Sequence, residues 1–180
     1  MRRYLAIIAL GLLSACSSQG LRSYQLMDSV SSQVASKPSQ TSLYVAPVQM
    51  SQAVSGLGLV YQVSDTELVQ ANNNVWAESI TQQVRRRLTF DLRGLQGEYW
   101  TQQREIAENQ LKVSFDKFQG VYTGNAVISG QWTLIQEGKP ARDYPFSISV
   151  PLHEDGGYQA QVEALSQAMS QLAQQIAMKL

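Results

Sequence analysis

Apolar and polar residues alternate in three consecutive segments of the second half of the chain. The segments are 111–115, 126–134 and 146–152. A period of two residues is typical of strands that bury one face. Short stretches with Gly124 and Pro140 separate the segments. Because consecutive strands joined by short turns usually pair with each other, the pattern predicts an antiparallel meander.

A first helix is predicted from apolar residues that recur at spacings of three and four. Its apolar stripe begins at Trp76, which we expect in the core, and runs to Leu95. The run Asn72–Asn74 precedes it, and asparagine side chains commonly cap helix N-termini. We therefore assign structural roles to Asn74 and Trp76. Gly94 or Gly97 is expected to end the helix after about five turns.

A second helix is predicted near the end of the chain. Apolar residues step by four and three from Tyr158 to Ile176, and the opposite side carries Gln, Ser and Ala. Such a stripe is usually the core face of the helix, and docking onto a partner helix is the alternative.

The first half of the chain contributes shorter predicted strands. Residues 28–42 are rich in Ser and Gln and indicate an exposed loop, while Pro47 limits the pairing of the strand around it. The predicted strands are 24–26, 43–50, 59–63, 67–71 and, less clearly, 99–104. The two strands on either side of Ser64 and Asp65, 59–63 and 67–71, are predicted to form a β-hairpin. Together the segments predict a single domain over 24–180 with an α+β fold of two layers. One layer is a mostly antiparallel mixed sheet of about six strands, and two amphipathic helices cover it.

The N-terminal segment has the order of a secretory signal. Arg2 and Arg3 precede an apolar run, 5–13, that is too short to span a bilayer. Leu13–Cys16 then reads Leu-Ser-Ala-Cys, the lipobox of bacterial lipoproteins. We expect residues 1–15 to be removed and Cys16 to carry a diacylglycerol thioether and an amide-linked acyl chain. An ordinary signal peptide with an incidental cysteine is the alternative.

The lipid predicts a location. Three acyl chains on Cys16 hold a protein on a membrane far more firmly than one chain. Ser17 follows the cysteine, where aspartate is the usual inner-membrane retention signal. The sequence therefore predicts an outer-membrane lipoprotein that faces the periplasm, with residues 16–23 as a short tether.

Charge and cysteine content exclude several classes of site. Residues 1–15 hold two of the 14 basic side chains and none of the 14 acidic ones, which leaves 12 basic and 14 acidic side chains afterwards. This balance argues against nucleic acid as a partner. Cys16 is the only cysteine, so once lipidated it leaves no thiol for a disulfide, a metal or a nucleophile.

Candidate catalytic residues are few. His153 is the only histidine, and a zinc site needs at least three protein ligands. The carboxylate pairs Asp65/Glu67 and Glu154/Asp155 fall in predicted turns, where acidic residues are common without catalysis. We therefore expect a structural or surface role for His153, no metal or cofactor, and no enzymatic activity.

The densest charge run is Arg85–Arg87 on the first predicted helix. Arg85 and Arg86 could contact anionic lipid or an acidic partner. A solvated helix face is the favoured interpretation, because three basic residues fall short of the usual cluster of four to eight.

Several short motifs together resemble a known family. Tyr24-Gln25-Leu26 lies soon after the lipidated cysteine, and Trp76-Ala77-Glu78 opens the predicted helix. In this order they resemble the PqiC/YmbA family of ABC-type transport auxiliary lipoproteins. The resemblance covers about residues 16–95. Met27-Asp28 departs from the family pattern, in which proline often follows the first strand.

The resemblance implies a non-catalytic outer-membrane subunit. It implies a partner, an MCE-domain protein of the PqiB type that crosses the periplasm, and a role in lipid movement between membranes and in envelope integrity. A homo-oligomer is also implied. The alternative is a general envelope scaffold that binds peptidoglycan or an outer-membrane assembly complex.

Overall fold

The computed structural model describes residues 20–27, 42–96, 104–153 and 156–180. Cys16, most of the predicted loop 28–42, most of the tentative strand 99–104 and the pair Glu154/Asp155 lie outside these ranges. No helix within them is long and apolar enough to cross a membrane. The elements are β1 (Arg22–Tyr24), β2 (Leu43–Val45), β3 (Gln49–Met50), β4 (Gly58–Gln62), β5 (Leu68–Trp76), α1 (Ile80–Gln96), a 3₁₀ turn (Arg104–Ile106), β6 (Asn109–Val121), β7 (Asn125–Gln136), β8 (Arg142–Pro151) and α2 (Gly157–Ala177).

The strands form one mixed sheet in the order β1-β5-β4-β6-β7-β8. The 13-residue β6 pairs along one edge with β7, and its other edge is shared by β2, β3 and β4, all parallel to it. The predicted α+β class is confirmed, with eight strands in the described residues where about six were expected. One reason is that the predicted strand 43–50 divides at Pro47, which has no N–H to donate to the ladder.

The predicted meander β6-β7-β8 is confirmed. Its antiparallel register runs without interruption except at one bulge, where Phe115 pairs with Gly130 and Lys117 with Ser129. A Cβ on Gly130 would lie 2.0 Å from the Ser114 carbonyl oxygen, so only glycine permits this close approach of two backbones.

The hairpin β4-β5 is also confirmed, but the predicted N-cap is wrong. Asn72–Asn74 belong to β5, which ends at Trp76, and α1 begins at Ile80. The register of β5 on β4 shifts between Val60 and Gly58, where β5 carries extra residues.

The edge of β5 that faces away from β4 is paired with β1, and this pairing extends the strand through Asn74 to Trp76. β1 pairs with it in parallel, with Arg22 opposite Asn74, and the Tyr24 hydroxyl donates to the Asn74 side chain over 3.1 Å. Trp76 is 4% exposed and packs against Phe118 at the end of this strand. The predicted first strand, 24–26, is displaced to 22–24, because Leu26 N–H leaves the sheet and donates to Gln83 Oε1 of α1.

Both helices lie on one face of the sheet and pack against each other. The apolar stripe of α2 is the core face, as expected, with Val162, Leu165, Met169, Leu172 and Ile176 all buried. Part of the Gln, Ser and Ala side of α2 is also buried. Gln161 and Ser166 are each 1% exposed, because both form buried hydrogen bonds.

Candidate functional site

Three connections meet at one end of the sheet, which we call the hairpin end. They are the β4-β5 connection 63–67, the β6-β7 turn 122–124 and the segment 151–153 that leads from β8 toward α2. Backbone hydrogen bonds hold them together: Tyr122 N–H donates to the Gln62 carbonyl over 2.8 Å, and Leu152 N–H donates to the Gly124 carbonyl over 2.9 Å. The hairpin end is therefore one continuous surface.

A pocket of about 320 Å³ opens at this end, between β4 and the start of α2. Its volume lies at the lower limit of small-molecule sites. The lining residues are Tyr61, Leu152, His153, Gly156, Gly157, Tyr158 and Gln161.

The floor of the pocket is fixed by hydrogen bonds. Gln161 Nε2 donates to the Val60 carbonyl over 2.9 Å, and the Tyr61 hydroxyl donates to the Val121 carbonyl over 3.1 Å. A Cβ on Gly120 would lie 2.5 Å from the Tyr61 ring, so glycine makes room for that ring. The floor is thus preformed.

His153 lies at the rim of the pocket and is exposed. Its neighbours Glu154 and Asp155 are outside the described residues. Among the residues that are described, no three His, Cys, Asp or Glu side chains are grouped so that they could hold a metal ion.

The second candidate carboxylate pair, Asp65 and Glu67, lies on the hairpin connection. The Tyr122 hydroxyl donates to Asp65 Oδ1 over 2.6 Å. This hydrogen bond, and then the negative charge of Asp65, raise the pKa of Tyr122. Asp65 therefore ties the hairpin to the β6-β7 turn.

The arginine run does not form one basic surface. Arg85 Nε donates to the Val45 carbonyl over 3.0 Å, and its guanidinium lies 5.7 Å from the centre of the Tyr44 ring. Arg86 is exposed and pairs with Glu78, and the hydrogen bond from Arg86 lowers the pKa of Glu78. Arg85 is thus engaged with the sheet, and Arg86 alone fits the predicted solvated face.

Arg87 is buried, so the prediction of a solvated face is wrong for it. Its Nε lies 2.8 Å from both carboxylate oxygens of Asp91, and the two side chains are 5% and 4% exposed. Its Nη2 donates to Ser170 Oγ over 2.7 Å and to the Ser166 carbonyl over 3.3 Å. Arg87 therefore joins α1 to α2.

The comparisons with known proteins agree with this fold over almost its whole length. Residues 24–177 match the family of ABC-type transport auxiliary lipoprotein components. The chain belongs to this family.

Relatives in the auxiliary lipoprotein family include proteins called intermembrane transport lipoprotein PqiC from Escherichia coli K12 and from Shigella flexneri. Each is 34% identical over 186 residues, covering 100% of this chain and 98% of the relative. The predicted resemblance to the PqiC family is confirmed.

Two solved structures share the fold. One, an uncharacterised protein, is 32% identical with a TM-score of 0.77, covering 89% of this chain and 99% of its own. The other, from Xanthomonas campestris, has a TM-score of 0.72 at 14% identity, covering 88% of this chain and 93% of its own, and supports the fold alone.

The pocket of this auxiliary lipoprotein was not foreseen in the sequence. Tyr61 and Gln161 are 100 residues apart and meet only because β4 and the start of α2 lie at the same end of the sheet. One weak sequence signal points to the pocket. Gln161 lies next to Val162 of the α2 stripe, and a glutamine side chain that is buried needs a hydrogen-bond partner. The missing Cβ of Gly58 in β4 admits the Ala71 carbonyl of β5.

Proposed function

We propose that this chain is an outer-membrane lipoprotein that acts as the non-catalytic auxiliary subunit of an intermembrane lipid transport system. It docks a periplasm-spanning MCE-domain protein of the PqiB type at the outer membrane. The observation that carries the proposal is the 34% identity to intermembrane transport lipoproteins over the full length of the chain. The family assignment over residues 24–177 supports the auxiliary role.

The sequence around Cys16 supports the membrane attachment. In this proposal residues 1–15 are removed, and acyl chains on Cys16 enter the periplasmic leaflet of the outer membrane. The first strand begins at Arg22, six residues later. Six residues extend to at most about 22 Å, so the folded domain stays close to its bilayer.

A short anchor also favours docking. It confines the domain to a thin layer beside the membrane, which raises its effective concentration for a partner that reaches the same layer. Release of the domain into the periplasm removes this advantage without changing any contact surface.

Affinity purification from whole cells lysed in detergent, with recovery normalised to the amount of tagged protein, tests the proposal. We expect the tagged wild-type protein to recover an MCE-domain protein, identified by mass spectrometry. Cys16→Ser should recover several-fold less, while Ser17→Ala, which keeps the anchor, should match the wild type. Recovery of peptidoglycan or of outer-membrane assembly factors, with no MCE-domain protein, would contradict the proposal and support the scaffold alternative.

A further inference from the structure

The pocket at the hairpin end contains a buried hydrogen-bond acceptor that has no donor. Gln161 lines the pocket, is 1% exposed, and donates through Nε2 to the Val60 carbonyl. No residue that the structure describes donates to its Oε1. A Cβ added to Gly120 would lie 2.9 Å from this oxygen, which places it at the floor. Because an unpaired buried oxygen costs free energy, a ligand with a donor group would complete it.

The Oε1 atom of Gln161 is open to the pocket. Within the described ranges, Arg87 Nη1 is the only fully enclosed side-chain nitrogen or oxygen that has no hydrogen-bond partner. The Oε1 atom also has no partner, and it is therefore not fully enclosed. Since Gln161 belongs to the pocket lining, the open space that reaches this oxygen is the pocket.

The second polar group of the pocket is the beginning of α2. Ala160 N–H donates to the Gly156 carbonyl, which leaves the N–H groups of Gly157, Tyr158 and Gln159 without a helical acceptor. None of the described side chains caps this end, and the first turn has no acidic residue. Gly156, Gly157 and Tyr158 line the pocket, so free donors and the positive end of the helix dipole lie at it.

The acceptor oxygen and the free N–H groups are close enough for one small ligand. Four residues separate Gly157 from Gln161, which is a rise of about 6 Å along the helix axis. Helical side chains lean toward the helix N-terminus, so the Gln161 amide extends back toward the first turn. The pocket volume of about 320 Å³ is sufficient for a molecule that reaches both groups.

The described lining residues carry no fixed charge. They include no Asp, Glu, Lys or Arg, and His153 is exposed at the rim. Because a buried charge without a partner costs free energy, a ligand that is neutral overall fits this lining best. Glu154 and Asp155 precede Gly156 in the sequence, and their charges disfavour a purely anionic ligand further.

We infer that the pocket binds a small zwitterion, with a primary ammonium on Gln161 Oε1 and an oxyanion on the free N–H groups of α2. The ammonium supplies the missing donor, the oxyanion supplies the missing acceptor, and their charges cancel. Tyr61 and Tyr158 add aromatic rings, which attract cations. Two sources share this chemistry: the phosphoethanolamine headgroup of a phospholipid and a free α-amino acid. The site depends neither on the anchor nor on a docking partner.

NMR titration of the ¹⁵N-labelled, lipidated mature protein, in detergent micelles free of phospholipid, tests the site. The probes are glycerophosphoethanolamine and L-alanine, one for each source. We expect one of them to give a saturable shift of the Gly157 and Tyr158 backbone N–H signals and of the Gln161 side-chain amide. The probe that saturates identifies the source. The absence of a saturable shift with either probe at millimolar concentration would overturn the inference and leave the proposed function standing.

Glycerophosphocholine is the matched control for glycerophosphoethanolamine, because it keeps the phosphate and has no N–H to donate. If glycerophosphoethanolamine saturates, we expect glycerophosphocholine to bind several-fold more weakly. Equal affinities of the two would overturn the contact with Gln161 Oε1.

Two pairs of variants locate the ligand on the protein. Gln161→Met removes the acceptor oxygen and should abolish the saturable shift, while Gln159→Met, at an exposed position of the same helix, should not. Because Gln161→Met also removes the partner of the Val60 carbonyl, thermal unfolding followed by circular dichroism establishes whether this variant folds.

Gly157→Asp is the independent test, and Gly157→Asn is its matched control. In the described structure nothing lies within 4 Å of a Cβ added to Gly157, and both Asp and Asn tolerate its φ of 51°. The aspartate places a negative charge where the oxyanion binds, so it should weaken binding several-fold more than asparagine does. Equal affinities of the two variants would overturn the placement of the oxyanion at α2.

Discussion

Three adjacent arginines of α1 enter three different environments because successive helical residues point about 100° apart. Arg85 contacts the carbonyl of Val45, Arg86 pairs with Glu78 at the surface, and Arg87 is buried against Asp91. The sequence shows only the run of charge. Which member is buried depends on where α2 lies, and this is set by contacts between residues about 80 positions apart.

The buried pair gives a stability prediction. Arg87→Ala removes the guanidinium that faces the Asp91 carboxylate and also the hydrogen bond to Ser170. Breaking one side of a buried ion pair typically costs about 3–5 kcal/mol, so we expect a loss of that size in the free energy of unfolding. Urea denaturation followed by circular dichroism measures it.

The control for this variant is Arg86→Ala, which breaks an exposed pair and should cost much less. The double variant Arg87→Met/Asp91→Leu should recover most of the lost stability, because it leaves no buried charge. Equal losses for Arg87→Ala and Arg86→Ala would show that the α1-α2 contact does not depend on the buried pair.

At the scale of elements, the β4-β5 hairpin and the β6-β7 turn are joined by the hydrogen bond between Tyr122 and Asp65. The pKa of Tyr122 is raised above its ordinary value of 10.0 by this bond and by the Asp65 charge. The folded state therefore favours the neutral phenol. The contact stabilises the folded protein below pH 10 and loses this effect as the pH rises through the raised pKa.

We predict that Asp65→Asn lowers the pKa of Tyr122 toward the ordinary tyrosine value, as measured by NMR of protein with ¹³C-labelled tyrosine. Glu67→Gln is the matched control, because it neutralises a carboxylate on the same connection without touching this bond. The account of this contact fails if Tyr122 titrates identically in wild type and Asp65→Asn.

Local pattern predicted the elements whose partners are close in sequence. β6, β7 and β8 follow one another through short turns, and α2 carries a regular stripe, so periodicity sufficed for them. The end of β5 was predicted wrongly, because Asn72–Asn74 are a good capping sequence locally. The strand continues through them to Trp76, and β1, about 50 residues earlier, pairs with its last three residues, Asn74–Trp76.

At the scale of the whole molecule, the two helices cover one face of the sheet, and the connections that follow β4, β6 and β8 meet at the hairpin end. The family and its fold could be recognised from the sequence through its motifs near residues 24 and 76. The pocket could not, since Tyr61, His153 and Gln161 come from distant segments that only the sheet order brings together.

The central claim is that Cys16 anchors this domain to the outer membrane. Density-gradient fractionation of envelopes, after growth with radiolabelled palmitate, tests it in wild type, Cys16→Ser and Ser17→Asp. We predict labelled wild type in the dense outer-membrane fractions, unlabelled Cys16→Ser free of both membranes, and labelled Ser17→Asp shifted to the lighter inner-membrane fractions. Unlabelled wild type, or Cys16→Ser that still sediments with the outer membrane, would contradict the account.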